Sequence, residues 1–207
     1  NKTLESAELL LTEELSRIYS TLKDKVNPTT LTLGLGKLKS INIYFSGHIE
    51  NPGINLVHPF SDIFSAIVQA GGVSNSGSLR EVQLIRNDQI ISTVDFYSFF
   101  MDGKNTFADV KLIDGDVIHI PNVKNRISIS GQINRPSTYE LLSNESVSDI
   151  ITYASGFTSD ASSTLILNQI IPVNKRTSDD NARTSISINL KNIDSISLNN
   201  GDMVKVL

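Results

Sequence analysis

A chain of 207 residues with net charge −4 and no Lys/Arg run longer than Lys175-Arg176 lacks the clustered basic patch of a nucleic-acid surface. Zero cysteine rules out disulfides, thiol catalysis and Cys-based zinc sites. No apolar run approaches the ~20 residues of a membrane span, so no span is expected within this chain. It begins at Asn1 rather than Met, which is expected of a piece processed or excised from a longer protein.

In chain order, residues 3–25 come first. Leu4, Leu11, Leu15, Ile18 and Leu22 follow a spacing of three to four, with Glu8 interrupting the stripe, which predicts a helix with one apolar face. That face is expected to pack on the neighbouring domain; a coiled-coil or partner helix is the alternative. Asn27-Pro28 stops it, because the residue before proline avoids the helical region. Leu31, Leu33 and Leu35 then alternate with Thr32, Gly34 and Gly36, the period of a strand. Residues 1–40 are thus expected to hold a helix and a connecting strand.

The rest of the chain is written twice. Phe45 to Gly72 returns as Ile129 to Gly156: Gly47, Pro52, Ile63, Ala66, Ile67, Ala70 and Gly72 pair with Gly131, Pro136, Val147, Ile150, Ile151, Ala154 and Gly156, each 84 residues on. Each copy opens with a strand whose buried side alternates, through Ile41, Ile43, Phe45, Gly47 and Ile49 in the first and Ile127, Ile129, Gly131 and Ile133 in the second. Gly47 and Gly131, inside strands, mark a bulge or close backbone approach. A short helix follows, with Ser61 and Ser146 as candidate N-caps and Asp149 completing a capping box. Its apolar stripe is Ile63, Ala66, Ile67, Ala70 in one copy and Val147, Ile150, Ile151, Ala154 in the other. Gly72 and Gly156 follow the helix C-terminus, where a left-handed residue is favoured, and not an N-terminus, where phosphate loops sit.

Strands come next. Val82 to Arg86 turns at Asn87-Asp88 and returns through Ile90 to Val94; Phe96 to Met101 suggests one helical turn. Leu165 to Val173 and Ser185 to Leu190 are the second copy's counterparts, with the polar stretch Asn174–Thr184 as a solvated loop between them. Each copy closes on a turn and a last strand: Asp114-Gly115-Asp116 in the first, Asn200-Gly201-Asp202 in the second, now 86 residues apart. Pro121 ends the first unit, and Asn122–Arg126 is a linker too short for free domain motion. The expected division is residues 1–40, 41–121 and 127–207, in an α+β fold with one main helix and a mixed sheet in each repeat.

The chemistry-bearing residues are few. His48 and His119 have Gln132 and Lys205 as counterparts and sit opposite in parity to the buried residues, so both are expected to be exposed. With His58 they form no metal-ligand spacing. Asp114 and Asp116 resemble a carboxylate pair for acid–base work or a hard cation, but Asn200 replaces one of them in the second copy while the turn is retained, which favours turn formation. No G-x-S-x-G elbow appears. Tyr44, Tyr97, Tyr139 and Tyr153 look scattered rather than grouped as a sugar platform, and there is no Trp. No catalytic, cofactor-binding or metal residue is nominated.

Three features recur in order: SGHIENPG and SGQINRPS, the helix ending in A-G-G or A-S-G, and the D/N-G-D close followed in the first copy by Pro121. Together they resemble the soluble-ligand-binding β-grasp (SLBB) domain, over about 41–121 and 127–207. Ser137 for Gly53 and Ser155 for Gly71 are departures in the second copy. Tandem SLBB domains resemble the outer-membrane polysaccharide export family of Gram-negative bacteria, whose export-sequence domain is not visible in residues 1–40. The resemblance implies two consecutive β-grasp domains and a non-catalytic periplasmic module of an outer-membrane-associated parent. That module would act in capsule or exopolysaccharide export through self-association and contacts with export-machinery proteins, with polysaccharide as a further candidate partner. A small-ligand or glycan-binding module without an assembly role is the alternative. The motif residues it singles out as structural are Gly47, Pro52, Gly72, Asp114, Gly115, Asp116, Gly131, Pro136, Gly156, Gly201 and Asp202.

Overall fold

The architecture was obtained from a computed structural model, which describes residues 3–34, 36–107, 110–177 and 182–207. Two compact units divide it, residues 1–39 and residues 40–207.

In the first unit, α1 spans Leu4–Leu15, capped by the Thr3 side chain, which accepts from the Ser6 amide. The helix expected to reach residue 25 stops ten residues earlier. Ser16, Ile18, Tyr19, Ser20 and Thr21 are weak helix formers, and the chain continues as a 3-10 turn at Ser20–Lys23. No residue of α1 is buried, and Leu9 is 72% exposed. The strand expected at 31–35 is absent: Leu31 and Leu33 are non-strand, and Leu35 lies outside the described residues. Gly34 and Gly36 explain this, since glycine gives a strand neither stiffness nor side-chain packing.

The second unit holds two five-stranded mixed sheets. In the first, β1 (Ile41–Gly47), β2 (Gly53–Val57), β3 (Val82–Arg86), β4 (Gln89–Val94) and β5 (Val117–Ile120) lie in the order β2-β1-β5-β3-β4. In the second, β6 (Arg126–Gly131), β7 (Ser137–Glu140), β8 (Thr164–Ile170), β9 (Arg183–Asn189) and β10 (Met203–Val206) repeat it as β7-β6-β10-β8-β9. Among the described residues only β1 with β5, and β6 with β10, run parallel. The repeated α+β arrangement is the one expected for two β-grasp units.

One helix crosses each sheet: α2 (Ile63–Gln69) and, later in the chain, α4 (Val147–Tyr153). Ile63, Ala66, Ile67 and Ala70 are all buried, as are Val147, Ile150, Ile151 and Ala154, against Ile43, Phe45, Leu84 and Ile118 in one half and Ile127, Ile129, Leu167 and Val204 in the other. Ser146 caps α4 with Asp149 closing the box. Ser61 does not cap α2. Asp62, which sits 84 residues before Ser146, does so by accepting from the Ser65 amide.

The halves differ after the second hairpin. The first inserts α3 (Tyr97–Asp102); the second has a 3-10 helix at Leu190–Ser195. Of the loop at 174–184, residues 178–181 lie outside the described residues. Arg126, expected in the linker, opens β6, and the segment before it is tied down by the Gly77–Asn122 bridge and by Val123 N–H donating to Ser76 O at 2.9 Å.

Candidate functional site

The motif residues fall at equivalent places in the two sheets. Gly47 and Gly131 end β1 and β6 at φ +80° and +87°. A Cβ on either would lie 2.0 Å from Ile120 O or 1.9 Å from Val206 O, the same carbonyls that accept from the His48 and Gln132 amides. Close approach of parallel strand backbones therefore requires glycine here. Pro52 and Pro136 immediately precede β2 and β7 and are exposed. Gly72 and Gly156 follow α2 and α4, where their amides donate to Ile67 O and Ile151 O at 2.9 Å.

The closing turns act as staples. Asp114 Oδ1 accepts from the Asn42 amide at 2.8 Å, and Asn200 Oδ1 accepts from the Arg126 amide at 2.9 Å. The Gly115 and Gly201 amides return to the carbonyls of those same strand residues. Asp116 and Asp202 are fully buried, and each accepts the amide of the residue three before it, Ile113 or Asn199, at 2.8 Å. Their remaining partners differ. Asp116 meets Arg86 through Nε at 2.8 Å and Nη2 at 2.9 Å, whereas Asp202 accepts the Ile170 amide at 2.8 Å. The hydrogen bond to Asp116, working against desolvation, raises the Arg86 pKa, so the guanidinium stays charged.

His48 and His119 are half-buried rather than exposed, whereas His58 is exposed. Burial follows from hydroxyl partners: His119 Nδ1 lies 2.9 Å from Ser46 Oγ and His48 Nδ1 lies 2.8 Å from Ser76 Oγ. Among the described residues no His/Asp/Glu group is arranged to hold a metal ion, and no helix is long and apolar enough to cross a membrane.

The largest buried polar arrangement among the described residues lies where the repeats meet, at residues outside the recurring motifs. The Ser78 hydroxyl donates to Glu140 Oε1 at 2.5 Å, and the Leu79 amide donates to Glu140 Oε2 at 2.9 Å. Arg80 forks onto Asp95 through Nε and Nη2, and its Nη1 donates to Glu145 Oε2 at 2.5 Å and to Glu140 O at 3.3 Å. Tyr97, at the start of α3, packs into the second repeat's core and accepts the Glu140 amide at 2.7 Å. Tyr153 donates to Glu145 Oε1 at 2.5 Å and meets the Tyr97 ring edge-on at 5.2 Å. The Arg80 guanidinium lies 4.6 Å from the Tyr97 ring centre. So Tyr97, Tyr139 and Tyr153, which look scattered in sequence, converge on one corner of the second repeat.

The electrostatics follow from this packing. Burial disfavours the Arg80 charge, but hydrogen bonds to Glu145 and Asp95 outweigh that and hold its pKa above the ordinary value. Burial pushes the Glu140 carboxyl up from its ordinary 4.5, against the pull of Ser78, the Leu79 amide and Arg80. Burial likewise raises Tyr97 and Tyr153. Every fully buried side-chain polar atom among the described residues has a partner. The arrangement is chemically closed: a charged, hydrogen-bonded lock between two sheets. Beside it runs an open cleft of about 430 Å³ lined in part by Tyr97, Arg126, Thr138 and Glu140.

One signal in the sequence does point to the lock. Glu140 stands 84 residues after Leu56, so a carboxylate occupies a strand position that is apolar in the first copy.

Against known proteins, the SLBB domain model matches residues 42–95 and 126–170, one segment in each sheet. The chain thus carries two SLBB domains in tandem. Two curated proteins from Escherichia coli, both named polysialic acid transport protein KpsD, are each 24% identical over 132 residues. That match covers 63% of this chain and 22% of each relative, so the chain spans about a fifth of the length of the curated relatives it matches.

Proposed function

We propose, from the premise that this is a tandem-SLBB chain, that it is a non-catalytic module of a polysaccharide export protein. Its two domains, 41–121 and 127–207, work on the periplasmic side of the outer membrane of a Gram-negative bacterium. Their part is to position and join copies of the parent, and to meet other export proteins, rather than to turn over substrate. The observation that carries the reading is the buried lock of Arg80, Glu140 and Glu145, which makes two SLBB domains one stiff body. A stiff two-domain block suits stacking in an assembly. The likeness to polysialic acid transport proteins supports the cargo class, a polysaccharide such as a capsule or exopolysaccharide.

The alternative, a small-ligand or glycan-binding module, draws on the cleft beside Tyr97 and Arg126. It is the weaker reading because the buried polar atoms of that corner already have protein partners. Removing residues 40–207 from the parent in its own cell tests the proposal. Surface polysaccharide should be lost while polymer accumulates inside. Normal surface polysaccharide in that strain would overturn it.

A further inference from the structure

The two closing turns hold different chemistry in one backbone. Asn200 has in the second repeat the place that Asp114 has in the first, and the glycine after each is left-handed, Gly201 at φ +86° and Gly115 at +89°. The structural task of either side chain needs only an acceptor oxygen. Asn200 Oδ1 takes the Arg126 amide at 2.9 Å, as Asp114 Oδ1 takes the Asn42 amide at 2.8 Å. The Nδ2 group of Asn200 has no part in this. It has no hydrogen-bond partner among the described residues, and Asn200 is exposed. Asn200-Gly201 is also the one Asn-Gly pair in the 207 residues. An asparagine before glycine is open to attack on its own side chain, because no Cβ screens or restrains the following backbone nitrogen.

We infer that Asn200 is a self-modification site, which deamidates slowly and converts the N-G-D turn of the second repeat into the D-G-D turn of the first. The deprotonated Gly201 nitrogen adds to Cγ of Asn200. The adduct expels Nδ2, which takes up a proton and leaves as ammonia, and a five-membered succinimide closes. Water then opens the ring. Cleavage between Gly201 N and Cγ gives aspartate. Cleavage at the backbone carbonyl gives isoaspartate, with the chain rerouted through Cβ and Cγ. In either case amide and water become carboxylate and ammonium, which adds one negative charge to a chain of net −4.

The fold governs both the rate and the outcome. In the closed turn the Gly201 N–H is donated to Arg126 O at 2.8 Å, while Asn200 Oδ1 is held by the amide of that same residue. Neither reacting group is then free to turn on the other. Arg183 adds a clamp, its Nη1 donating to Gly201 O at 2.9 Å. Attack therefore waits for local opening of the turn, a smaller event than unfolding of the sheet. Of the two products only aspartate can retake the turn, and Asp114 shows that the turn accepts it. The new carboxylate also meets a cation, since Arg183 has no ion-pair partner among the described residues. Isoaspartate, longer by one backbone bond, leaves the turn open. None of this depends on the export reading.

The full chain, incubated in heavy-oxygen water at mildly alkaline pH and mapped by mass spectrometry, gives the test. The first residue to gain label should be Asn200. Its conversion should be at least ~10-fold slower in the folded chain than in the same chain unfolded in urea, the factor set by opening of the turn. Arg183→Met should speed the folded-chain reaction several-fold and leave the rate in urea unchanged. Asn200→Asp should keep the circular dichroism spectrum of the parent and the slow hydrogen exchange of the Gly201 amide. Earlier labelling at any other asparagine would overturn the site. Equal rates in the folded and unfolded chain, or an Arg183→Met protein that reacts at the parent's rate, would overturn the control by the turn. An Asn200→Asp protein whose second repeat is unfolded would overturn the assignment of the product.

Discussion

The two repeats are an internal experiment in which one fold carries two surfaces. Where they agree, the agreement tracks backbone necessity: the glycine beneath a carbonyl at Gly47 and Gly131, the buried aspartate of the closing turn, the apolar stripe of the helix. Where they disagree, the fold is indifferent and something else has set the residue. Leu56 and Glu140 occupy the same strand position, yet one is exposed and the other is the centre of a buried ion network. Phe64 and Ser148 sit alike on their helices, and only one belongs to an aromatic cluster. The pattern teaches that the first repeat is specialised outward and the second inward, toward its neighbour.

The largest expected effect is on the shared core. Ile67→Asp and Ile151→Asp each place a charge where the native residue is buried, which should cost about 4 kcal/mol or more. Hydrogen exchange should show protection collapsing first in the mutated repeat. Full protection near either site would mean that the helix face is not core.

Next comes the lock. Arg80→Met leaves Glu145 and Asp95 without their cation in a site where the Arg80 side chain is 5% exposed. Breaking one partner of such a pair typically costs ~3–5 kcal/mol. Calorimetry should then resolve two transitions where the parent chain has one. A single transition, merely shifted, would show that the repeats are joined by something other than this network.

The turns give a smaller contrast. Asp116→Asn leaves Arg86 without its carboxylate, whereas Asp202→Asn disturbs only backbone donors. Losses of ~2 kcal/mol for the first and ~1 kcal/mol for the second are expected from urea titration. The reverse order would show that the Arg86 pair is dispensable.

The smallest effect is on pH dependence. Because burial raises Glu140 above its ordinary 4.5, the folded chain holds that proton more tightly than the unfolded chain does. Stability from this group therefore falls as pH rises from the ordinary value through the raised one, and stays lower above it. Glu140→Gln cannot titrate, so it lacks the gain on acidification. The melting temperature of the native chain relative to this variant should rise as pH drops through that window. A flat or falling difference would sink the assignment.

Much of the fold was legible because it is periodic. Ile43, Phe45, Ile127 and Ile129 alternate, and Ile63 to Ala70 and Val147 to Ala154 keep the same helical stripe 84 residues apart, so each copy corroborated the other. The first forty residues have no second copy, and there periodicity alone misled: Leu31 and Leu33 alternate without forming a strand. The lock was hidden for a different reason. Glu140 finds Ser78 from 62 residues away and Glu145 finds Arg80 from 65, and neither contact has a counterpart in the other repeat. A single-copy interaction between distant residues leaves no period to read. Parity does not reveal the half-burial of His48 and His119, because it says which side of a sheet a residue faces, not whether a serine there has an imidazole within reach.

The position of β5 in its sheet has a consequence for how the chain must be made. β5 is the last strand of its repeat in sequence, yet it lies in the middle, pairing β1 on one side and β3 on the other. Until it leaves the ribosome, β1–β2 and β3–β4 are two separate hairpins with no strand between them, and β10 has the same place in the second repeat. Synthesis from the N-terminus therefore cannot complete either sheet piecemeal. Each closes in one late step once some eighty residues are out, with two strand edges open until then, and this is the interval in which a chaperone has most to protect.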